Sequence, residues 1–290
     1  MKKTVGVMFL AAMVFACLEM IRELLSFSVV HYQIKTSKFK KCTKEQKIVF
    51  LSDLHNHEYG KKNGRLIEAI QRERPDLILV TGDMLIGKRG GSFAEAAALM
   101  KRLPRIAPVY YANGNHEQRL HVYEDWYGDM YRDYKKELEE AGVTFLVNES
   151  CEKIWYKSPE KIYGIEVPME CYARRKAYRM QIKDVEDRLG KADKENYNIV
   201  LAHNPADARV YKAWGADLVL SGHLHGGIVR IPFLGGLIDP QAGMFPRYSG
   251  SCYQEEETVI VVSKGLGTHT VNIRLFNPAE LIVLHVQGKG

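Results

Sequence analysis

The chain has 290 residues, 46% of them hydrophobic, and a formal charge of +6. That is enough apolar material for one large domain or two small ones. The basic excess is spread along the chain and favours anionic partners without selecting one. No RNA-binding signature, helix-turn-helix signal or zinc-finger spacing accompanies it, so nucleic acid is not an expected partner. Five cysteines (Cys17, Cys42, Cys151, Cys171 and Cys252) exclude a fully paired disulfide framework, and leave both reduced thiols and one or two bridges open.

Lys2 and Lys3 precede a largely apolar run from Thr4 to Leu18, followed by Glu19, Arg22 and the apolar residues up to Val30. The run is long for a signal-peptide core and short for a span, which needs about 20 residues. Residues 1–30 read as an uncleaved anchor in a cell membrane, with the rest of the chain extracytoplasmic because Lys2 and Lys3 favour the inner side. A lipoprotein-like cleavage site at Val14–Cys17 and a buried amphipathic helix are the other readings. Residues 31–46 read as a polar linker, and residues 47–290 as one catalytic domain.

From Lys47 onward short apolar runs alternate with helical patterns. Strands are expected at Ile48–Leu51, Leu77–Val80, Val109–Ala112, Ile199–Ala202 and Leu218–Leu220. Helices are expected at Asn63–Arg72, Ser92–Leu103 with Ser92 as N-cap and Glu95 completing a capping box, Glu124–Glu140, and Asp207–Trp214. Further strands at Ile154–Trp155, Ile162–Ile165, Ile228–Ile231, Val259–Val262 and Leu281–Val286 have few helices between them. The pattern predicts an α/β fold in which a second sheet packs on the first, with helices outside both.

The residues just past each of the first five runs carry the chemistry. The runs lead into Asp53-Leu54-His55, Gly82-Asp83, Asn113-Gly114-Asn115-His116-Glu117, His203, and Gly222-His223-Leu224-His225. Ligand sites of open α/β sheets lie at the carboxyl ends of the strands, so these ends should converge. The glycines before the ligand segments suggest sharp, positive-φ turns. Asp53, His55, Asp83, Asn115, His203, His223 and His225 are more ligands than one ion needs, and two ions sharing one carboxylate would use the whole set. Mixed nitrogen and oxygen donors favour manganese, iron or zinc over magnesium or calcium.

These motifs, in this order, resemble the signature of the calcineurin-like metallophosphoesterases: D-x-H, G-D, G-N-H-D/E, a lone H, and G-H-x-H. The amino-terminal anchor, Gly226-Gly227, Gly265-Leu266-Gly267 and Arg274 resemble the membrane-anchored bacterial branch that includes phosphodiesterases of the YkuE and YaeI type. That branch also contains UDP-2,3-diacylglucosamine hydrolases. The resemblance implies an αββα sandwich of two mixed sheets and two divalent metal ions. It assigns Asp53, His55 and His225 to one ion, Asn115, His203 and His223 to the other, and Asp83 to both. His116 would stabilise the transition state or protonate the leaving oxygen, and Glu117 would orient it. The implied activity is hydrolysis of a phosphodiester or phosphomonoester. A pyrophosphate hydrolase of the diacylglucosamine type and a non-catalytic metal-binding scaffold are the alternatives.

Two stretches bear on the substrate. The basic and aromatic run from Tyr172 to Arg179 could grip an anionic head group, or be a solvated helix face. Phe233, Leu234, Leu237, Ile238, Met244 and Phe245 could form an apolar lip over the site, or pack on the second sheet. If both form part of the site, the substrate is a lipid-linked phosphoester. His57, His31, His121, His269 and His285 match no motif and read as structural or surface residues.

Overall fold

A computed structural model describes residues 2–40, 44–173, 178–227, 230–231, 235–238, 243–268 and 272–289. Strands that are apolar at every position need cover on both faces. Leu77–Val80, Tyr197–Ala202, Leu218–Ser221 and Thr258–Val262 are buried throughout, and the chain covers them by stacking two mixed sheets with helices outside each.

The first sheet has the strand order Phe27–Thr36, Ala279–Gly288, Gln46–Leu51, Leu77–Val80, Val109–Tyr111, Val143–Phe145. Its last four strands are parallel, and Ala279–Gly288 joins them antiparallel. The second sheet runs Ser251–Glu255, Thr258–Val262, Leu218–Ser221, Tyr197–Ala202, Ser158–Ile165, Glu149–Trp155. Its four central strands are parallel and its two edges antiparallel.

Side-chain alternation divides the core into three layers. Ile48 and Phe50 face Ile199, Leu201, Leu218 and Leu220 between the sheets. Val49 and Leu51 point the other way, onto Leu66, Ile67 and Ile70 of the Gly64–Glu73 helix. In the second sheet Val200, Val219 and Ile260 meet Val185, Ala208 and Tyr211 of the outer helices. Each fully buried aliphatic side chain contributes about 1.5–3 kcal/mol. A charge at Ile48 or Ile199 would be stranded in the dry middle layer.

Several expectations change. Residues 31–46 are not linker throughout, because Phe27–Thr36 is a strand paired in parallel with Ala279–Gly288 over its whole length. The lysines nearby masked a period of two, in which Tyr32, Ile34 and Thr36 turn inward and His31, Gln33 and Lys35 stay exposed. The strand expected at Leu281–Val286 belongs to the first sheet, not the second. Gly128, at φ 69°, breaks the helix expected at Glu124–Glu140 into Glu124–Tyr127 and Met130–Glu140. Phe93, not Ser92, is the N-cap of Ala94–Met100, and the Ser92 hydroxyl accepts from the Ala94 amide. The helix Ile182–Leu189 and the strands Val143–Phe145 and Ser251–Glu255 were not foreseen. Of the strand expected at Ile228–Ile231, only Arg230 and Ile231 lie within the described residues.

The amino-terminal helix, Lys2–Leu25, is longer than the apolar run that signalled it and long and apolar enough to cross a membrane. Its 24 residues span about 36 Å, against a bilayer core of roughly 30 Å. The cysteines at 17, 151, 171 and 252 form no disulfide, and Cys42 lies outside the described residues.

Candidate metal centre

The two sheets present their carboxyl ends side by side, and the site straddles both instead of sitting over one. The first sheet supplies Asp53 and His55 after Gln46–Leu51, Asp83 after Leu77–Val80, and Asn115 and His116 after Val109–Tyr111. The second supplies His203 after Tyr197–Ala202, and His223 and His225 after Leu218–Ser221.

Donor atoms fall into three groups, each within 4.8 Å: Asp53, His55 and His225; Asp83, His203 and His223; and His55, Asp83 and His116. The Nε2 atoms of His55 and His225 are 3.1 Å apart, and His225 Nε2 is 3.5 Å from Asp53 Oδ1. His203 Nε2 lies 3.1 Å from Asp83 Oδ2. Two donors each 2.0–2.1 Å from a tetrahedral ion sit about 3.3 Å apart, so these separations suit a shared cation. The Asp83 carboxylate belongs to two of the groups, and His55 links one of these to the third. The residues present therefore fit a pair of ions.

Hydrogen-bond partners fix the tautomers, since a carbonyl only accepts and an amide N–H only donates. His203 Nδ1 donates to Thr81 O at 2.6 Å, and His225 Nδ1 to Gly267 O at 3.2 Å. In the neutral ring both would therefore present an Nε2 lone pair to the centre, the usual arrangement of a metal-binding imidazole. His116 is the reverse. Its Nδ1 accepts from Gly87 N at 2.8 Å and from Arg119 Nη2 at 3.1 Å, so its Nε2 carries the proton. That N–H lies 3.8 Å from Asp83 Oδ2. Asn115 Oδ1 and His223 Nε2 are buried without a hydrogen-bond partner among the described residues, as oxygen and nitrogen ligands are when the ion is left out.

The backbone is strained here. Asp53, His55, Asp83, His223 and His225 have φ values of 53°, 48°, 51°, 67° and 50°, a left-handed region costing about 1–2 kcal/mol per L-residue. Cross-links hold it. Asp53 N donates to Gly82 O, His55 N to Asp83 O, and Gly267 N to Asp53 O. His223 N donates to the Asp53 carboxylate, and His116 N to Asp83 Oδ1. The glycines act differently from expectation. Gly82 does take a positive φ of 85°, but Gly114 is extended. Gly114 and Gly222 are needed for close approach: a Cβ would lie 2.2 Å from Asp83 Oδ1 in the first case and 2.1 Å from Asp53 Oδ2 in the second.

Glu117 also departs from its expected part. Its carboxylate is fully buried and accepts from Asp83 N, Met84 N, Gly114 N and Tyr111 OH. It joins the Asp83 turn to the Gly114 turn, while Gly87 and Arg119 hold the ring of His116. Burial and the charge of Asp83 push Glu117 up to about 7. Burial would also raise Asp83, but His203, His116 and His55 outweigh it and hold that carboxyl well below the usual range. Burial opposes a charge on His203, yet Asp83 and Asp53 lift it to about 9, so without an ion its Nε2 also holds a proton, which a bound cation would displace.

Arg119 was not foreseen, because the Asn115–Val122 helix that places it three residues from His116 was not. Tyr172 stands edge-on to His223, with ring centroids 4.9 Å apart, so one end of the basic and aromatic run reaches the site. Arg174, Arg175 and Lys176 lie outside the described residues, as do Phe233 and Leu234 of the apolar stretch. Its Ile238, Met244 and Phe245 are exposed. His57 packs against Tyr59, His31 pairs with His285, and His121 packs at a tilt against Tyr131. His269 is outside the described residues.

Similarity to known proteins extends over most of the chain. An uncharacterized metallophosphoesterase of Aquifex aeolicus is 28% identical over 267 residues, covering 90% of this chain and 92% of its own. The phosphodiesterase YaeI of Escherichia coli is 26% identical, covering 79% and 78%. A zebrafish transmembrane protein with a metallophosphoesterase domain is 26% identical over 87% of this chain and 56% of its own length. Among solved structures, a putative 5'-nucleotidase of Staphylococcus aureus superposes with a TM-score of 0.51 at 13% identity, covering 85% of this chain and 55% of the other, which shows the shared fold. The calcineurin-like phosphoesterase family model matches residues 46–227, more than half the chain, and the chain belongs to that family.

Proposed function

We propose that this protein is a membrane-anchored hydrolase that cleaves phosphoester bonds with two divalent ions. One ion would be held by Asp53, His55 and His225, the other by Asn115, His203 and His223, with Asp83 shared. The ions, when bound, would supply Lewis acidity and a nucleophile ionised near neutral pH. Manganese, iron or zinc suits the donor set.

The observation that carries this reading is the opposed tautomers. As neutral rings His203 and His225 aim lone pairs into the centre, while His116 aims an N–H. A scaffold that only bound metal would have no use for a donor among acceptors. A phosphoryl transition state has one, because charge gathers on its equatorial oxygens. Two donors already fill the His116 Nδ1 lone pair, so this histidine supplies a fixed hydrogen bond and does not cycle as an imidazolium. Of the two roles the family resemblance left open, stabilisation of the transition state is the one its surroundings favour. Arg119 adds positive charge behind the ring.

The anchor places the catalytic domain, on the extracytoplasmic side in our reading, where lipid-linked phosphodiesters are the substrate class at hand. The exposed Ile238, Met244 and Phe245 suit an acyl chain. The test is turnover by the purified full chain in detergent micelles with manganese, across soluble diesters, soluble monoesters, lipid-linked phosphodiesters and lipid pyrophosphates. We expect hydrolysis that a chelator abolishes and manganese restores, fastest on the lipid-linked diesters. No hydrolysis of any member would remove the enzymatic reading, and equal rates on soluble and lipid-linked diesters would remove the lipid preference.

A further inference from the structure

The 24-residue amino-terminal helix buries one side chain, and it is a carboxylate. A tether would need only apolar residues. Glu23, in the last turn, is 1% exposed. Burying a carboxylate costs several kcal/mol unless it is hydrogen-bonded, so its partners should matter. Glu23 Oε2 accepts from Asn277 N at 3.0 Å, and Arg22 Nη2 is 3.6 Å from Oε1.

Asn277 then leads to the metal centre. Its side-chain Nδ2 donates to His225 O at 2.6 Å. Its own carbonyl accepts from Arg274 Nη1 at 3.1 Å. Arg274, 2% exposed, donates its other nitrogen to Lys264 O, Gly265 O and Gly267 O. Gly267 O in turn receives the Nδ1–H of His225. The last turn of the helix thus reaches His225 from both sides, through its main chain and through the carbonyl that sets its ring. Two more contacts fix the helix end to the domain. Arg65 Nη1 donates to Leu25 O at 3.2 Å, and the strand Phe27–Thr36 starts after Ser26 with no intervening loop.

We propose that the end of the membrane helix is a structural part of the active site, with Glu23 a positioning residue for His225 acting through Asn277. The helix is then a brace as well as an anchor, and removing it disturbs a site that lies outside the membrane. This rests on the reading of His225 as a metal ligand.

The experiment compares Glu23→Ala, Glu23→Gln and His225→Ala in the full chain in detergent. Glutamine keeps the oxygen that accepts from Asn277. Two readouts are taken: manganese binding isotherms, and hydrogen exchange at the Gly226 and Gly227 amides of metal-free protein. We expect Glu23→Ala to weaken manganese binding at one of the two sites by about 10–100-fold and to speed exchange at both amides. We expect Glu23→Gln to restore both to within about threefold. Exchange and binding unchanged in Glu23→Ala, with His225→Ala losing an ion, would overturn the proposal alone. Manganese binding unchanged in His225→Ala would overturn the ligand reading beneath it. Should Glu23→Ala not fold, Glu23→Gln together with Asn277→Asp decides. Aspartate cannot donate to His225 O, so Asn277→Asp must reproduce the weakened binding and faster exchange, and wild-type values there would refute the coupling.

Discussion

The sandwich buries carboxylates at both ends of its strands, with opposite consequences. At the carboxyl ends Asp83 is ringed by His203, His116 and His55, which hold it ionised despite full burial. At the amino ends Glu160, on the strand Ser158–Ile165, has Gln46 Nε2 at 3.1 Å from one oxygen and, among the described residues, no partner for the other. Burial there pushes the carboxyl up to about 7, against lowering by Gln46 and Lys153. The same depth thus keeps one acid charged and drives the other toward neutrality. Counter-charge, not depth, decides which. One end is organised to receive cations and the other to join two sheets.

Three substitutions press on that contrast. The largest effect belongs to Asp83→Ala. Loss of the carboxylate common to both ion sets should cut turnover by more than about 10³-fold, beyond the 10–100-fold typical of outer-shell changes, and should lower bound manganese below two per chain by elemental analysis. Wild-type metal content would separate Asp83 from the centre. Next, His116→Ala should lower kcat by about 10²–10³-fold while leaving two ions bound, because its Nε2 is a donor. If manganese is lost along with activity, His116 is a ligand and the tautomer argument fails.

The smallest effect, on stability alone, is Glu160→Gln. The folded-state value of about 7 lies above the ordinary 4.5, so between those pH values the folded protein holds a proton that the unfolded chain has lost. Stability therefore falls as pH rises from about 4.5 to about 7 and is level above. Glutamine removes that loss, stabilising the protein by about 2–3 kcal/mol at pH 8 and by almost nothing at pH 4.5, with turnover unaltered. Denaturant unfolding at the two pH values checks it. An equal gain at both would mean that packing, not charge, is responsible.

Much of the architecture was readable because burial on two faces writes itself as uninterrupted Val, Ile and Leu. Leu77–Val80 and Leu218–Ser221 are direct cases. The donor residues were legible for a similar reason, as polar groups placed just where such a run stops. Phe27–Thr36 was harder, since an edge strand is half solvated and Lys35 with the lysines after it imitates a linker. Arg119 was hidden because it does not stand at a strand end, whereas Tyr172 was marked only as the start of a basic and aromatic run. The part played by Glu117 depends on four donors, two of them from the distant Asp83–Met84 turn, which no local spacing encodes. Glu23 was passed over as the flank of an apolar stretch, its partner being some 250 residues away.

The parallel pairing of Phe27–Thr36 with Ala279–Gly288 also dictates an order of assembly. Some 250 residues separate the strand at the outer edge from its neighbour, so the first is synthesised long before the second. Until the later strand is made the earlier one has no ladder to join, while the long apolar helix just before it has already emerged. Closing so long a loop is slow, so the growing chain carries an open sheet edge that only the later strand seals.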